Sequence, residues 1–193
     1  LCGSPVVLGW PGRANFRLAN EAGTGEALLA SADALLREKL GGLLDVCACC
    51  ADGAVTVTLR LGEAPEGARN ADQGYALRIA EDAVTVTGFG AAGLYYGVVT
   101  LTQCMAVADG ALALEPCEIV DWPDLRTRGH FMESRFGSNL MTLDDWKHVV
   151  DNMASMKQNQ LVISVYGCWS VQYDGRISEY LYLPIRKYPK LHV

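Results

Sequence analysis

The sequence has no long apolar run and no stripe of basic residues. Its 193 residues contain no stretch of about 18 uncharged apolar residues, so no membrane-spanning helix is expected. The net charge of −6 comes from 22 acidic and 16 basic residues, and the basic ones are scattered singly. A nucleic-acid partner is therefore not expected, because binding to a phosphate backbone requires clustered cations.

Histidine is also scarce, and the cysteines follow no regular spacing. The only histidines are His130, His148 and His192, and none belongs to a His-Glu-x-x-His helix. Seven cysteines include three within residues 47–50, but no second ligand pair at zinc-binding spacing accompanies them. We therefore expect neither a metal nor another cofactor. An odd number of cysteines favours reduced thiols over a disulfide framework, which slightly favours a cytoplasmic location over secretion.

The first part of the chain shows hydrophobic patterns of both helices and strands. Apolar residues recur every three to four positions in two segments and alternate with polar residues in three others. In order, they predict a helix over residues 24–40 capped by Thr24, a strand over 54–61, a loop over 62–74, a hairpin with strands 75–79 and 84–87, and a helix over 90–106. The leucine-rich helix faces should cover a sheet, so an α+β domain with helices on one face is expected.

A second pattern begins after a proline-containing connector, and it predicts a domain boundary after residue 117. A short strand at 129–132 precedes a helix that Thr142 and Asp145 are placed to cap. The strand at 160–165 is almost continuously apolar, which is typical of a parallel strand buried on both sides. Strand, helix and strand open an α/β barrel, but a barrel needs about 250 residues. We therefore expect a truncated barrel with an exposed apolar edge and poor stability on its own.

Two motifs resemble a known enzyme family. GYALRI, AVTVTG and GLYYGVVTLTQ, between Gly74 and Gln103, resemble the accessory domain that precedes the catalytic barrel in glycoside hydrolase family 20, the β-N-acetylhexosaminidases. EIVDWPDLRTRG, over residues 118–129, resembles that family's entry into its barrel. The resemblance implies a zincin-like α+β accessory domain over 1–117 and the N-terminal portion of a (β/α)8 TIM barrel over 118–193.

The resemblance also implies a reaction. Members of the family remove terminal β-linked N-acetylhexosamines, and the 2-acetamido oxygen of the substrate attacks the anomeric carbon. In the family, an adjacent Asp-Glu pair that follows the fourth barrel strand assists this attack. In this protein the pair would lie beyond Val193. No catalytic residue is therefore assigned here, the fragment is expected to be inactive, and its partner would be an amino-sugar glycoside. The acidic pair Asp144-Asp145 is predicted to cap a helix instead.

Candidate substrate contacts follow the first predicted barrel strand. In RGHFMESR, Glu133 and Arg135 stand one residue closer to Arg128-Gly129 than the family pattern has them. Arg135 is the leading candidate, because a guanidinium group can donate two parallel hydrogen bonds to neighbouring sugar hydroxyls. The alternative is that Arg135 pairs with Glu133, or with another carboxylate of the barrel, and holds the strand ends.

The second predicted barrel strand departs further from the family pattern. Lys157, Asn159 and Trp169 are kept, but apolar or small residues stand where histidine and aspartate are expected, at Val162, Ser164, Gly167 and Cys168. Tyr166 and Trp169 follow this strand and could stack on a pyranose ring, or they could serve only in packing.

Three other assignments remain open. Glycoside hydrolase family 84 shares the accessory domain, and Glu133 followed by Phe136-Gly137 favours it, whereas the lack of an Asp pair after the second strand counts against it. The protein could also be a carbohydrate-binding or structural relative that has lost catalysis, which would explain why the expected histidine and aspartate are missing. A metallopeptidase is disfavoured because the zinc-binding helix motif is absent.

Overall fold

The computed structural model describes residues 6–9, 16–41, 55–108, 111–133 and 141–164, and the chain divides into two compact units between Arg126 and Thr127. The first unit contains, in order, β1 (Val6–Gly9), β2 (Phe16–Asn20), α1 (Ala27–Gly41), β3 (Val55–Leu61), a 3₁₀ helix (Ala71–Gln73), β4 (Tyr75–Ile79), β5 (Ala83–Gly88), α2 (Ala91–Cys104), β6 (Ala106–Ala108), β7 (Ala111–Leu114) and β8 (Cys117–Asp121). The second contains β9 (Gly129–Glu133), α3 (Leu143–Ser155) and β10 (Gln160–Ser164).

A mixed five-stranded sheet forms the centre of the first unit. Its strand order is β2-β3-β5-β4-β8, in which β2, β3 and β5 are parallel and β4 is antiparallel to both of its neighbours. A separate antiparallel sheet has the order β1-β7-β6.

The hydrophobic core lies on one face of the five-stranded sheet. Alternate strand residues are buried, among them Val57, Leu77 and Val86, and they pack with buried residues of both helices, such as Leu36 and Leu94. Each such apolar side chain contributes about 1.5–3 kcal/mol on full burial. The prediction of an α+β unit with its helices on one sheet face agrees with this arrangement.

The predicted hairpin is confirmed. Strands β4 and β5 pair antiparallel with Leu77 opposite Val86, and the N–H of Ala80 donates to the carbonyl of Ala83 at 2.8 Å to close the turn. The prediction of Thr24 as a helix cap is wrong, because α1 begins only at Ala27. The predicted loop 62–74 contains the short 3₁₀ helix, a structure for which the sequence carries no periodic signal.

Strand β8 lies in the segment that we predicted to follow the domain boundary at residue 117. It pairs antiparallel with β4, with Ile119 opposite Leu77, and forms one edge of the main sheet. Cys117 and Ile119 pack against the core, whereas Glu118 and Val120 are exposed. The first unit therefore extends through Arg126.

The second unit contains a strand, a helix and a strand. Strands β9 and β10 are parallel neighbours in direct register, from Gly129 opposite Gln160 to Glu133 opposite Ser164. The predicted capping box of α3 is confirmed, since the side chains of Thr142 and Asp145 each accept from the other residue's backbone N–H.

The prediction that β10 is buried on both faces is wrong for the described residues. Val162 and Ile163 remain 40% and 47% exposed, and Met153 is the only buried residue described in α3. The physical reason is that β9 is the only neighbour of β10 in the described part of the chain. A strand with one neighbour and a helix with a thin apolar contact cannot remove these side chains from water.

Candidate functional site

The carboxyl ends of β9 and β10 form the edge at which the predicted substrate contacts follow. Glu133 is the last residue of β9, and its register partner Ser164 is the last residue of β10. Because the two strands are parallel, the chain leaves both of them at the same end of the sheet. In α/β enzymes, residues at such an edge can converge on one ligand because parallel strands deliver them to the same side.

Of the four predicted substrate contacts, only Glu133 lies within the described residues. Arg135, Tyr166 and Trp169 lie outside them, as do Phe136 and Gly137. The structure thus positions the backbone of Glu133 at the end of β9.

The opposite, amino-terminal edge of the two strands is held by Arg128. Its Nε and Nη2 donate to the backbone carbonyl oxygen of Lys157 at 3.1 and 2.8 Å. Its backbone N–H donates to Oδ1 of Asn159 at 2.9 Å, and the N–H of Asn159 donates back to the Arg128 carbonyl at 2.8 Å. The Arg-Gly and Lys-x-Asn motifs therefore bind each other at the edge away from the predicted substrate contacts.

Gly129 and Lys157 each meet a backbone requirement of this edge. A Cβ atom added to Gly129 would lie 1.8 Å from the carbonyl oxygen of Gln160, so no other residue fits without moving β10. Lys157 has a φ of 56°, the left-handed conformation that turns the chain from α3 toward β10. These observations give both motifs a structural role in joining β9 to β10.

The acidic pair Asp144-Asp145 lies in the first turn of α3, as predicted. Asp145 Oδ2 accepts from the hydroxyl and from the backbone N–H of Thr142, at 2.7 and 2.8 Å. These two hydrogen bonds lower the pKa of the Asp145 carboxyl below its ordinary value, the hydroxyl contributing the larger part. Asp144 pairs with Lys147 at 2.7 Å. Helix capping and local ion pairing account for both carboxylates.

A polar network that is buried at Tyr75 and Thr100 lies between the main sheet and α2 in the first unit. The hydroxyl of Tyr75 is 2.7 Å from Thr100 Oγ1 and donates to Asp121 Oδ2 at 3.1 Å. Burial is the main cause that raises the pKa of Tyr75 to about 12. Asp121 belongs to the sequence EIVDWPDLRTRG that resembles the family's entry into its barrel, and it ties the end of β8 to the core.

The segment that follows β8 is fixed to the 3₁₀ helix of the first unit. Arg126 forms a bidentate ion pair with Asp72, with both N–O distances at 3.0 Å. Asn70 Nδ2 donates to the carbonyl of Pro123 at 2.7 Å, and Gln73 Nε2 donates to the carbonyl of Arg126 at 3.0 Å. Sequence reasoning missed these partners because they lie in a segment predicted only as a loop.

The described residues contain neither a metal-binding cluster nor a membrane-spanning helix. Across the described ranges, no group of three or more histidine, cysteine, aspartate or glutamate side chains is arranged to hold a metal ion. The cysteine cluster at residues 47–50 and His192 lie outside those ranges. None of the described helices has the length and apolar character needed to cross a bilayer.

Comparison with known proteins identifies a family model and several similar structures. Residues 13–122, more than half of the chain, match the model described as glycosyl hydrolase family 20, domain 2. No curated protein matches significantly.

Three of the similar solved structures illustrate the match. A family 20 β-N-acetylhexosaminidase from Streptomyces coelicolor has a TM-score of 0.56 at 25% identity, over 85% of this chain and 33% of that one. A β-hexosaminidase from Streptomyces plicatus, solved with the product N-acetylglucosamine, has a TM-score of 0.57 at 24% identity, over 85% and 33%. A family 20 exo-β-N-acetylglucosaminidase from Vibrio harveyi, in complex with N-acetylglucosamine, has a TM-score of 0.59 at 17% identity, over 84% and 23%. The chain thus spans a quarter to a third of these structures.

Proposed function

Because the chain belongs to glycosyl hydrolase family 20, we propose that the whole protein is a β-N-acetylhexosaminidase that removes terminal β-linked N-acetylhexosamines. The observation that carries this proposal is the family match over residues 13–122, which covers most of the first unit. The two relatives solved with N-acetylglucosamine support an amino-sugar glycoside as the substrate class.

We propose that the second unit opens a (β/α)8 barrel and that the first is a zincin-like accessory domain. The parallel pairing of β9 with β10, connected through α3, supports the barrel because a parallel pair joined by a helix is its repeating unit. Under this proposal, Glu133 and Ser164 end the first two barrel strands. The exposed side chains of Val162 and Ile163 are then apolar surface that further barrel strands and helices would cover.

Within that barrel, we propose Arg135 as the principal substrate contact and Glu133, Tyr166 and Trp169 as supporting contacts. The support is that Glu133 ends β9 at the carboxyl edge and that Arg135 follows two residues later. The Arg135 guanidinium would donate two hydrogen bonds to hydroxyls of the terminal sugar. The carboxylate of Glu133 would accept from a sugar hydroxyl, and the two aromatic rings would stack on the pyranose.

The proposed reaction is substrate-assisted hydrolysis. The acetamido oxygen attacks the anomeric carbon while the leaving oxygen takes a proton from a glutamate, and water then opens the cyclic intermediate. We assign neither this glutamate nor its neighbouring aspartate to a residue of this chain. The chain by itself is therefore expected to show no turnover.

The test is hydrolysis of a chromogenic N-acetyl-β-glucosaminide by the full-length protein and by its Arg135→Ala variant. We expect kcat/KM to fall about 100-fold, which corresponds to the loss of two charge-assisted hydrogen bonds. Arg37→Ala is the control, since Arg37 lies on α1 and pairs with Asp33. Unchanged activity in Arg135→Ala would show that Arg135 is not a substrate contact.

The same assay, applied also to variants of the acidic residues in the full-length protein, separates the two remaining assignments. Turnover that depends on a pair of separated aspartates, rather than on an adjacent Asp-Glu pair, would indicate an active site of the family 84 type behind the family 20 domain. A folded full-length protein that binds N-acetylglucosamine but releases no chromophore would be the non-catalytic relative. That outcome is motivated by Val162 and Ser164, which stand where the family pattern has polar support for the sugar.

A further inference from the structure

The face of the five-stranded sheet that lies opposite the core carries small and polar side chains. We call it the open face. Strand pleating places successive side chains on opposite faces, so the residues that alternate with the buried ones belong to it. The open face consists of Arg17, Ala19, Thr56, Thr58, Arg60, Ala76, Arg78, Ala83, Thr85, Thr87, Glu118 and Val120. None of these residues is buried.

Threonines form the centre of the open face. Thr58 of β3 stands opposite Thr85 of β5, and Arg60 stands opposite Thr87 in the same strand pair. Neighbouring strands are about 4.8 Å apart, and residues two apart along a strand are separated by about 6.6 Å. The hydroxyls therefore repeat across the sheet, and no long apolar side chain interrupts them.

Positive charge surrounds these threonines. The open face has three arginines and one glutamate, although the whole chain has a net charge of −6. Arg60 Nε donates to Thr87 Oγ1 at 3.0 Å, which orients its guanidinium along the sheet. Arg78 pairs with Glu118 at 3.0 Å, but the two side chains are 69% and 74% exposed, so this ion pair is open to competition by another anion.

The composition of the open face selects the chemistry of a partner. No aromatic side chain is present among its twelve residues, so stacking on the apolar side of a neutral sugar is not available. Guanidinium groups bind carboxylates through two parallel hydrogen bonds, and threonine hydroxyls both donate to and accept from sugar hydroxyls. A sheet face with both groups suits an extended chain that carries hydroxyls and carboxylates together.

We propose that the open face binds a polysaccharide that carries carboxylate groups, such as a polyuronate chain. This surface is formed entirely by residues of the first unit. Binding would hold the protein on an acidic glycan. Arg17 and Arg60 contact carboxylates, while Thr58 and Thr85 bind the hydroxyls between them.

The first test measures binding of polygalacturonate to the chain and to the double variant Arg17→Gln/Arg60→Gln. We expect about tenfold weaker binding in the variant, as the loss of two exposed charge-assisted contacts implies. Added salt should weaken wild-type binding, because exposed charges are screened. The matched control is Arg37→Gln/Lys39→Gln on α1, which lowers the net charge equally but leaves the open face intact. Circular dichroism establishes that each variant is folded.

The second test removes hydroxyls without changing charge, in the variant Thr58→Val/Thr85→Val. We expect about threefold weaker binding of polygalacturonate, since each lost hydrogen bond has a modest net value. Neutral dextran is expected not to bind. Equal losses in the two charge variants, or undiminished binding by the threonine variant, would overturn the proposal. So would equal affinity for dextran, or tighter binding of dextran sulfate at matched charge.

Discussion

The guanidinium group of Arg128 donates two hydrogen bonds to the backbone carbonyl oxygen of Lys157, at 3.1 and 2.8 Å. These bonds join the residue before β9 to the turn that leads into β10. They explain why an arginine stands before Gly129, and Asn159 is explained by its Oδ1, which accepts from the backbone N–H of Arg128. The contact is structural, and it lies at the strand edge opposite the one from which Arg135 follows.

Replacing Arg128 with lysine should loosen this edge. A single ammonium group cannot place two donors from one rigid plane on the same carbonyl oxygen, so we expect the second unit to lose about 1–2 kcal/mol. Hydrogen exchange of the Asn159 and Gln160 amides, which both donate to the Arg128 carbonyl, measures the change locally. The control Arg78→Lys alters an exposed ion pair and should shift the free energy of unfolding by less than about 0.5 kcal/mol. Similar effects of the two substitutions would contradict this account.

The contact between Tyr75 and Thr100 should show coupling in a double-mutant cycle. Tyr75→Phe removes one partner of a buried hydrogen bond of 2.7 Å, and we expect it to cost about 1–2 kcal/mol. Thr100→Val removes the other partner with little change in shape. Because the double variant leaves neither group facing a lost partner, its cost should be smaller than the sum of the single costs by about 0.5 kcal/mol or more. Strictly additive values from urea unfolding would show that the two hydroxyls do not interact.

Tyr75 also predicts how stability changes at alkaline pH. Burial raises its pKa to about 12, above the ordinary value of 10.0 that applies to the unfolded chain. Between these pH values the folded state holds a proton that the unfolded state releases. The contribution of protonated Tyr75 to the free energy of unfolding is therefore complete below pH 10 and is lost as the pH rises toward 12. Unfolding free energies measured from pH 8 to pH 11 should fall more steeply for the wild type than for Tyr75→Phe. If the unfolding free energies of the two proteins fell in parallel with pH, Tyr75 would not be the cause of the loss of stability.

Gly93 should tolerate no side chain. A Cβ atom at this position in α2 would lie 1.8 Å from the carbonyl oxygen of Gly74, so Gly93→Ala must displace the helix from the 3₁₀ segment. We expect a loss of about 1–3 kcal/mol, despite the higher helix propensity of alanine. Gly25→Ala is the matched control, because no atom lies within 4 Å of its Cβ position. A thermal unfolding scan of both variants decides this, and a neutral Gly93→Ala would contradict the close approach.

Local signals in the sequence predicted the elements that depend on local chemistry. The β4–β5 hairpin follows from alternation around a short turn, and the α3 capping box follows from Thr142 and Asp145 three residues apart. Helix α2 was predicted within a few residues of its observed ends because its apolar residues recur at helical spacing.

Contacts between distant residues could not be read from periodicity. Arg126 and Asp72 are 54 positions apart, and nothing in either local pattern identifies the other as its partner. Strand β8 was assigned to a connector because prolines flank it, although Cys117 and Ile119 alternate as a strand requires. The predicted substrate contacts depended on a family resemblance rather than on spacing, and of them the structure positions only the backbone of Glu133.

The edge position of β8 has a practical consequence for anyone who wishes to produce the first unit alone. A recombinant piece that ended at residue 117 would strip β4 of its outer neighbour and leave the strand's amides and carbonyls unpaired toward water. Exposed edge strands pair with the same strand of other molecules, so we expect this shorter protein to aggregate. A stop codon placed after Arg126 keeps both the edge strand and the ion pair with Asp72 that anchors its tail.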